Sequence, residues 1–461
     1  MTWHDLLENV HGPLYSLVVH LWCAIAGGNE AALRAPSAWC GVATVPVLAW
    51  LAARWLGRET AGWAAWLAAL SPFLVWYSQE ARPYAMMILL VCVSSALMLE
   101  LARLGTRRAT VLYGASVMSG VLAAPAFAFV LPLHLRWWLA DAARRRRRLI
   151  QAAVLLLALA VVALPWLPQF RATWDWQRLH PGRPANSAEA PLRGPTTFHL
   201  AGLPYALFTF AAGYTLGPSP RELRANASLA TLRKHAPEIA AVALLCGGLA
   251  ILGLSAVARR RRLWDAVLWL GVPTLVVSWF ALSNFKVFHP RYLATAAPLV
   301  LLVAAAAFAD LGARSRAVLG GLLLLLWGVS LGHLYGSPAY GKEDVRSAAR
   351  RVGELAEPGE RVLAVNTIDV MTYYYRGRAP LQHFWLGFAA DPATLQQQFD
   401  LAVAGVPAAW VVLSRPEDLD PAGRFANLME RRTTAADRFK FEGVRVWHVR
   451  RAAAPSPGTA Q

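Results

Sequence analysis

The chain has 461 residues, 57% of them hydrophobic, 16% charged and 20 of them tryptophan, which is too apolar for one soluble domain and too often interrupted for a single anchor. It reads as a polytopic membrane protein. The net charge of +18 would suggest nucleic acid in a soluble protein, but here the arginines crowd into short links between apolar segments, where they orient a membrane protein, and nucleic-acid binding is excluded.

Residues 1–12 lack a basic start followed by an apolar run, so no cleavable signal peptide is expected. The link HGPLY, residues 11–15, leads into an apolar run ending near residue 26 that is too short to span and is predicted to be a juxtamembrane helix. A crossing helix needs about 20 apolar residues. Ten spans are predicted on that basis, near 36–56, 61–77, 84–104, 109–124, 126–140, 149–167, 238–257, 264–284, 291–311 and 317–336. The basic links at 54–58, 103–108, 144–148, 259–262 and 314–316 then fall on one side, the cytoplasmic one. The same count puts YSQEARPY (77–84), the loop 168–237 and FHPRY (288–292) outside, with the apolar patch 199–213 lying at the interface.

Beyond Tyr335 acidic residues become frequent, and an amphipathic stretch at 343–355 is followed by β-rich runs at Arg361–Val365, 410–413 and 444–449. The expectation is a membrane-embedded domain over 1–336, a small extracytoplasmic α/β domain over 338–451 and a disordered tail over 452–461. Cys23, Cys40, Cys92 and Cys246 all sit in apolar surroundings, which indicates neither a disulfide framework nor a zinc site.

Three outer links hold the candidate chemistry. Glu80 and Arg82 lie two apart in a short turn, so both stay near the mouths of two helices. A carboxylate there can accept a proton, and a guanidinium can hold a phosphate through two parallel bonds. The competing reading is an interfacial ion pair with Tyr77 and Tyr84 as anchors. Arg291, with Lys286 and His289, forms a second cationic cluster able to hold a lipid phosphate, against a plain reading of cations at a helix end. His11 alone reads as a hydrogen-bonded interfacial residue. His134 and Arg136, followed by Trp137 and Trp138, read as an aromatic belt with a snorkelling arginine.

These links in order, with RAPS (34–37) near the first span and SPFLVWYSQEARPY (71–84) closing the second, resemble the GT-C superfamily of membrane glycosyltransferases. Within it they are similar to glycosyltransferase family 39, the protein O-mannosyltransferase and aminoarabinose-transferase group. The resemblance covers residues 11 to about 298. It implies a GT-C-like bundle in a bacterial inner membrane that takes a sugar from a polyprenyl-phosphate carrier at the outer face and transfers it, with inversion, to a hydroxyl acceptor. It further implies that Glu80 is catalytic and that His11, Pro13, Tyr15, Arg34, Gln79, Arg82, Tyr84, Lys286, His289, Arg291 and Tyr292 line the donor cavity. No cofactor is implied: the transfer needs no metal in principle, no metal-ligand spacing occurs, and a divalent cation is left open.

The chain departs from the family pattern in two places. Gly12 stands where a proline is usual. Members also begin with one more span and an acidic pair, commonly Asp-Glu, whereas Asp5 and Glu8 lie too close to HGPLY to be that pair. The expectation is that the functional protein carries a further N-terminal span, the alternative being an impaired member or one that uses Glu80 alone. A lipid-linked-sugar transporter would also bind phosphates, but mid-span charges are nearly absent. An anchored enzyme with its site in the C-terminal domain would not need ten spans.

Overall fold

The computed structural model describes residues 12–140, 148–149, 152–153, 156–157, 160–161, 164, 199–283, 288–365, 367–384, 392–420 and 422–450. They fall into two compact units, one of residues up to 164 with 199–217 and 235–332, the other of 218–234 and 333–450.

The first unit is a helical bundle. Six described helices are long and apolar enough to cross a membrane: Glu30–Trp55, Tyr84–Leu104, Ala236–Arg259, Leu263–Leu282, Pro290–Asp310 and Ala313–Gly336. This corrects the expectation of ten. The segment 61–77 is not one helix but two short ones, Ala61–Leu70 and Pro72–Ser78. Ser71 breaks them: its side chain accepts from the Leu74 N–H at 3.4 Å, and Pro72 takes the first helical position, where its missing N–H costs nothing. The segment 109–124 is the 17-residue helix Arg107–Ala123, opened by two arginines. At 126–140 a 3₁₀ turn, Pro125–Val130, precedes the eight-residue helix Leu131–Trp138. The segment 149–167 lies largely outside the described residues, as does the tail. A count of apolar residues is blind to prolines that restart a helix.

Other prolines are absorbed, since Glu30–Trp55 contains Pro36 and Pro46 and Leu263–Leu282 contains Pro273. Asn29 starts the former by accepting from the Ala32 N–H at 2.9 Å. The helix Pro13–Ala26 has the 14-residue length expected of a segment too short to span.

The bundle separates its charges. At one end Arg260 binds the Leu56 carbonyl at 3.0 Å and Asp310 at 2.7 Å, and reaches Glu59 at 3.3 Å. Arg259 also binds Asp310, at 2.7 Å. Close by in the chain, buried Asp265 accepts from Trp55 Nε1 at 3.1 Å and Arg136 Nε at 2.8 Å. The 26-residue helix Glu30–Trp55 is about 39 Å long and the 21-residue Tyr84–Leu104 about 31 Å. Their first turns therefore lie a membrane thickness away from this arginine-rich end.

The second unit carries a five-stranded sheet in the order β2-β1-β3-β5-β4, with β1 Arg361–Val365, β2 Leu381–Phe384, β3 Ala408–Ser414, β4 Arg438–Phe441 and β5 Val444–Arg450. β1 pairs in parallel with β2 and β3, and β5 runs antiparallel to β3 and β4. Every residue of β3 is buried, as a central strand covered on both faces demands. Leu363, Val411 and Leu413 pack with Phe399 and Phe425 on one face, and Val362, Trp410 and Val412 with Val345 and Val352 on the other. The stretch 218–234 joins this unit through Arg224, which pairs with Glu343 at 3.0 Å; Glu343 also takes Arg415 at 2.7 Å, and Arg221 pairs with Glu442.

A buried carboxylate clamps the sheet. Glu360 accepts from Trp410 Nε1 at 2.7 Å, meets His448 Nε2 at 2.7 Å and accepts from the Glu357 N–H at 2.9 Å. Burial pushes its carboxyl up, but the Glu357 N–H, the indole and His448 outweigh that and hold it below the usual range. A depressed carboxylate contributes stability that is present above the ordinary carboxylate pKa and is lost as pH falls through the folded value. Hydrogen exchange of β1 and β3 in the detergent-solubilised full chain, corrected for intrinsic rates, is therefore expected to lose protection as pH drops below about 4. Glu360→Ala is expected to weaken protection at neutral pH by about 1–3 kcal/mol, because it strands the Trp410 N–H, and to flatten the acid response.

Candidate active site at the tyrosine cluster

Opposite the arginine-rich end, the links singled out in the sequence meet around four buried tyrosines, Tyr15, Tyr77, Tyr84 and Tyr214. The Tyr77 and Tyr214 hydroxyls are 2.9 Å apart and share a hydrogen bond. Tyr84 packs edge-on to Tyr77 at 5.2 Å between ring centroids, and His289 lies 6.2 Å from Tyr214 and 6.3 Å from Tyr292. Tyr15 joins from the first helix: its hydroxyl is 2.7 Å from Ser37 Oγ, which donates to the Arg82 carbonyl at 3.3 Å.

Local chain chemistry places each charged group. The helix Pro72–Ser78 ends at Gln79, half-buried, whose N–H bonds the Trp76 carbonyl at 3.2 Å. The Glu80 N–H bonds the Tyr77 carbonyl at 3.3 Å, and the Arg82 N–H folds back onto the Glu80 carbonyl at 2.7 Å. This tight turn holds the half-buried Glu80 carboxylate against Trp76, whose Nε1 donates to Oε1 at 3.1 Å, and leaves the Arg82 side chain exposed. At the third link His289 Nδ1 accepts from the Arg291 N–H at 3.2 Å and so caps the turn Pro290–Ala296. The Arg291 guanidinium lies 5.1 Å from the Tyr292 ring centre.

Glu80 and Arg291 address the same side chains. Glu80 is in electrostatic reach of Tyr15, Tyr77, Tyr84 and Tyr214, and Arg291 of Tyr77, Tyr84 and Tyr214. Arg291 Nε is buried and has no hydrogen-bond partner among the described residues. A buried guanidinium N–H without an acceptor is costly and suits an anion.

Of the predicted residues, the structure thus brings together Tyr15, Gln79, Glu80, Arg82, Tyr84, His289, Arg291 and Tyr292, with Pro13 at the first position of the helix bearing Tyr15. Arg34 is not gathered in. It pairs with Glu30 at 3.5 Å along its own helix, its only ion pair among the described residues. His11 and Lys286 lie outside the described residues.

Three contributors escaped sequence reasoning. Tyr214, at the centre, sits in a region read only as an apolar patch and loop. Trp76 and Ser37 lay within quoted motifs, but their partners are 4 and 45 residues away in sequence, respectively, and only the first distance is legible as a turn. The signal for Tyr214 is Gly213: at φ +78°, any Cβ there would stand 2.7 Å from the Pro72 side chain. Gly12 has a similar cause. A Cβ at that position, proline's included, would lie 2.2 Å from the Leu122 carbonyl oxygen.

A family described as Dolichyl-phosphate-mannose-protein mannosyltransferase matches residues 10–167, a stretch that holds the first two links. In fold the chain is similar to ArnT from Cupriavidus metallidurans in the apo state, with a TM-score of 0.56 at 15% identity over 95% of this chain and 87% of that one. The chain has the GT-C fold. ArnT from the same organism bound to undecaprenyl phosphate gives 0.54 at 16% identity over 98% and 90%. The Archaeoglobus fulgidus oligosaccharyltransferase tethered to an acceptor peptide gives 0.50 at 12% over 90% and 62%. No curated protein sequence matches the chain. At such identities the likeness concerns how the helices of the GT-C fold are arranged, and the chemistry is to be argued from this chain's own side chains.

The Tyr77–Tyr214 bond is the joint of the site. Tyr77→Phe or Tyr214→Phe alone leaves the other hydroxyl buried without its partner, and each is expected to cost about 1–3 kcal/mol. The double phenylalanine variant is expected to cost less than the sum. A double-mutant cycle on thermal unfolding in detergent checks this; strict additivity would mean that the hydroxyls do not cooperate.

Proposed function

We propose that this chain is a membrane glycosyltransferase that moves a sugar from a polyprenyl-phosphate carrier to a hydroxyl of an envelope lipid, glycan or protein. The observation that carries the reading is the placement of Glu80 and Arg291 around the same tyrosines, a carboxylate and a half-buried cation at one end of the bundle. The acceptor oxygen attacks the anomeric carbon, the bond from that carbon to the phosphate oxygen breaks, and polyprenyl phosphate departs with the bonding pair. Glu80 takes the acceptor's proton. Arg291, whose Nε has no described acceptor, meets the charge that grows on the departing phosphate, with Arg82 at the exposed rim. Attack opposite the leaving group inverts the anomeric centre.

Charge supports the sidedness of this reading. With the arginines at 54–58, 103–108 and 259–262 taken as cytoplasmic, the tyrosine cluster belongs to the outer face of a bacterial inner membrane, and the sheet-bearing unit is taken as extracytoplasmic. Polyprenyl phosphates are already good leaving groups, so a cation and a base suffice for the transfer.

The test is release of undecaprenyl phosphate from a panel of undecaprenyl-phosphate sugars by the purified full chain in vesicles. Glu80→Gln is expected to lower kcat by about a hundredfold or more and Arg291→Ala by a similar factor. Unchanged turnover in both would remove the assignment.

A further inference from the structure

At the arginine-rich end the bundle holds a cleft of about 550 Å³ between the last turns of Glu30–Trp55 and Tyr84–Leu104 and the start of Leu263–Leu282. The volume lies within the range of small-molecule sites. Arg54, Arg58, Arg103 and Arg262 line it, with Trp50 and Trp137 among its walls. Arg54 is paired with Glu100 at 3.1 Å and Arg262 with Asp265 at 3.4 Å. Among the described residues Arg58 and Arg103 have no carboxylate partner, so four guanidinium groups face two carboxylates. Asp265 is itself fixed by Trp55 and Arg136, which holds Arg262 in place.

The rest of the lining is apolar: Trp50, Leu99 and Trp137 form it with Ala53, Ala102 and Ala140. Guanidinium groups without a carboxylate partner among the described residues, beside an apolar wall, suit an anion attached to an apolar body.

We propose that this cleft binds the phosphate of an anionic membrane phospholipid, at the end of the bundle away from Glu80 and Arg291. The phosphate oxygens sit between Arg58 and Arg103, and the glycerol and first methylenes lie along Trp50 and Leu99. Such a lipid neutralises the crowded arginines and braces three helix ends. The site is separate from the proposed donor site and stands whether or not sugar transfer is observed.

Native mass spectrometry of the full chain in detergent, mixed with phosphatidylglycerol, phosphatidylcholine or inorganic phosphate, tests it. The unaltered chain is expected to retain phosphatidylglycerol over phosphatidylcholine. The paired variant Arg58→Ala with Arg103→Ala is expected to lose phosphatidylglycerol on the order of tenfold. Arg314→Ala with Arg350→Ala, an equal loss of charge at exposed positions elsewhere, is expected to change nothing. Retention of the lipid by the Arg58/Arg103 variant, an equal loss in the Arg314/Arg350 variant, or inorganic phosphate binding as tightly as the lipid would each overturn the proposal. Circular dichroism and the melting temperature of each variant show that a loss is not unfolding.

Discussion

Two buried hydroxyls that must satisfy one another hold the candidate site together. Tyr77 ends a short helix and Tyr214 follows a glycine turn 137 residues later, yet neither hydroxyl is tolerable in the bundle without a partner. Their bond fixes the turn carrying Glu80 against the segment whose Tyr214 ring packs at a tilt near His289, and His289 caps the turn carrying Arg291. Tyr15, through Ser37 and the Arg82 carbonyl, brings in the first helix. Aromatic packing supplies the rigidity and the hydroxyls supply the register.

The long helices give that cluster its meaning by sorting charge to two ends. Arg260, between the Leu56 carbonyl, Glu59 and Asp310, joins three links at one end, while helices of about 31–39 Å carry the turns of Glu80 and Ser37 to the other. Buried Asp265 serves the arginine end as the tyrosines serve theirs, as a fixed acceptor that several donors share. One fold thus carries two differently built charged environments about a membrane thickness apart.

Much of this was legible in the sequence, for identifiable reasons. Links such as YSQEARPY and FHPRY stand out because charge between apolar runs is expensive unless it sits at an end. The superfamily resemblance rested on those links and agrees with the fold. The span count was not legible, since apolar residues on either side of Ser71–Pro72 or Pro125 look continuous until the helix stop is weighed. Nor was the centre of the site: nothing local marks Tyr214 as the partner of Tyr77, and only the cramped Gly213 hints that two backbones meet there. Arg34, drawn in by its motif, is held by Glu30 on its own helix, an i,i+4 pairing visible in the sequence once the helix start at Asn29 is known.

At stake is whether the carrier's sugar phosphate rests at the tyrosine cluster, its phosphate on Arg291 and its anomeric carbon toward Glu80. A polyprenyl phosphate bearing a photoreactive group beside its phosphate, irradiated with the full chain in vesicles and mapped by peptide mass spectrometry, addresses it most directly. Label is expected on the peptides containing 77–84 and 288–292, competed away by unmodified carrier. Label confined to the arginine cleft around Arg58 and Arg103, or to neither place, would contradict it.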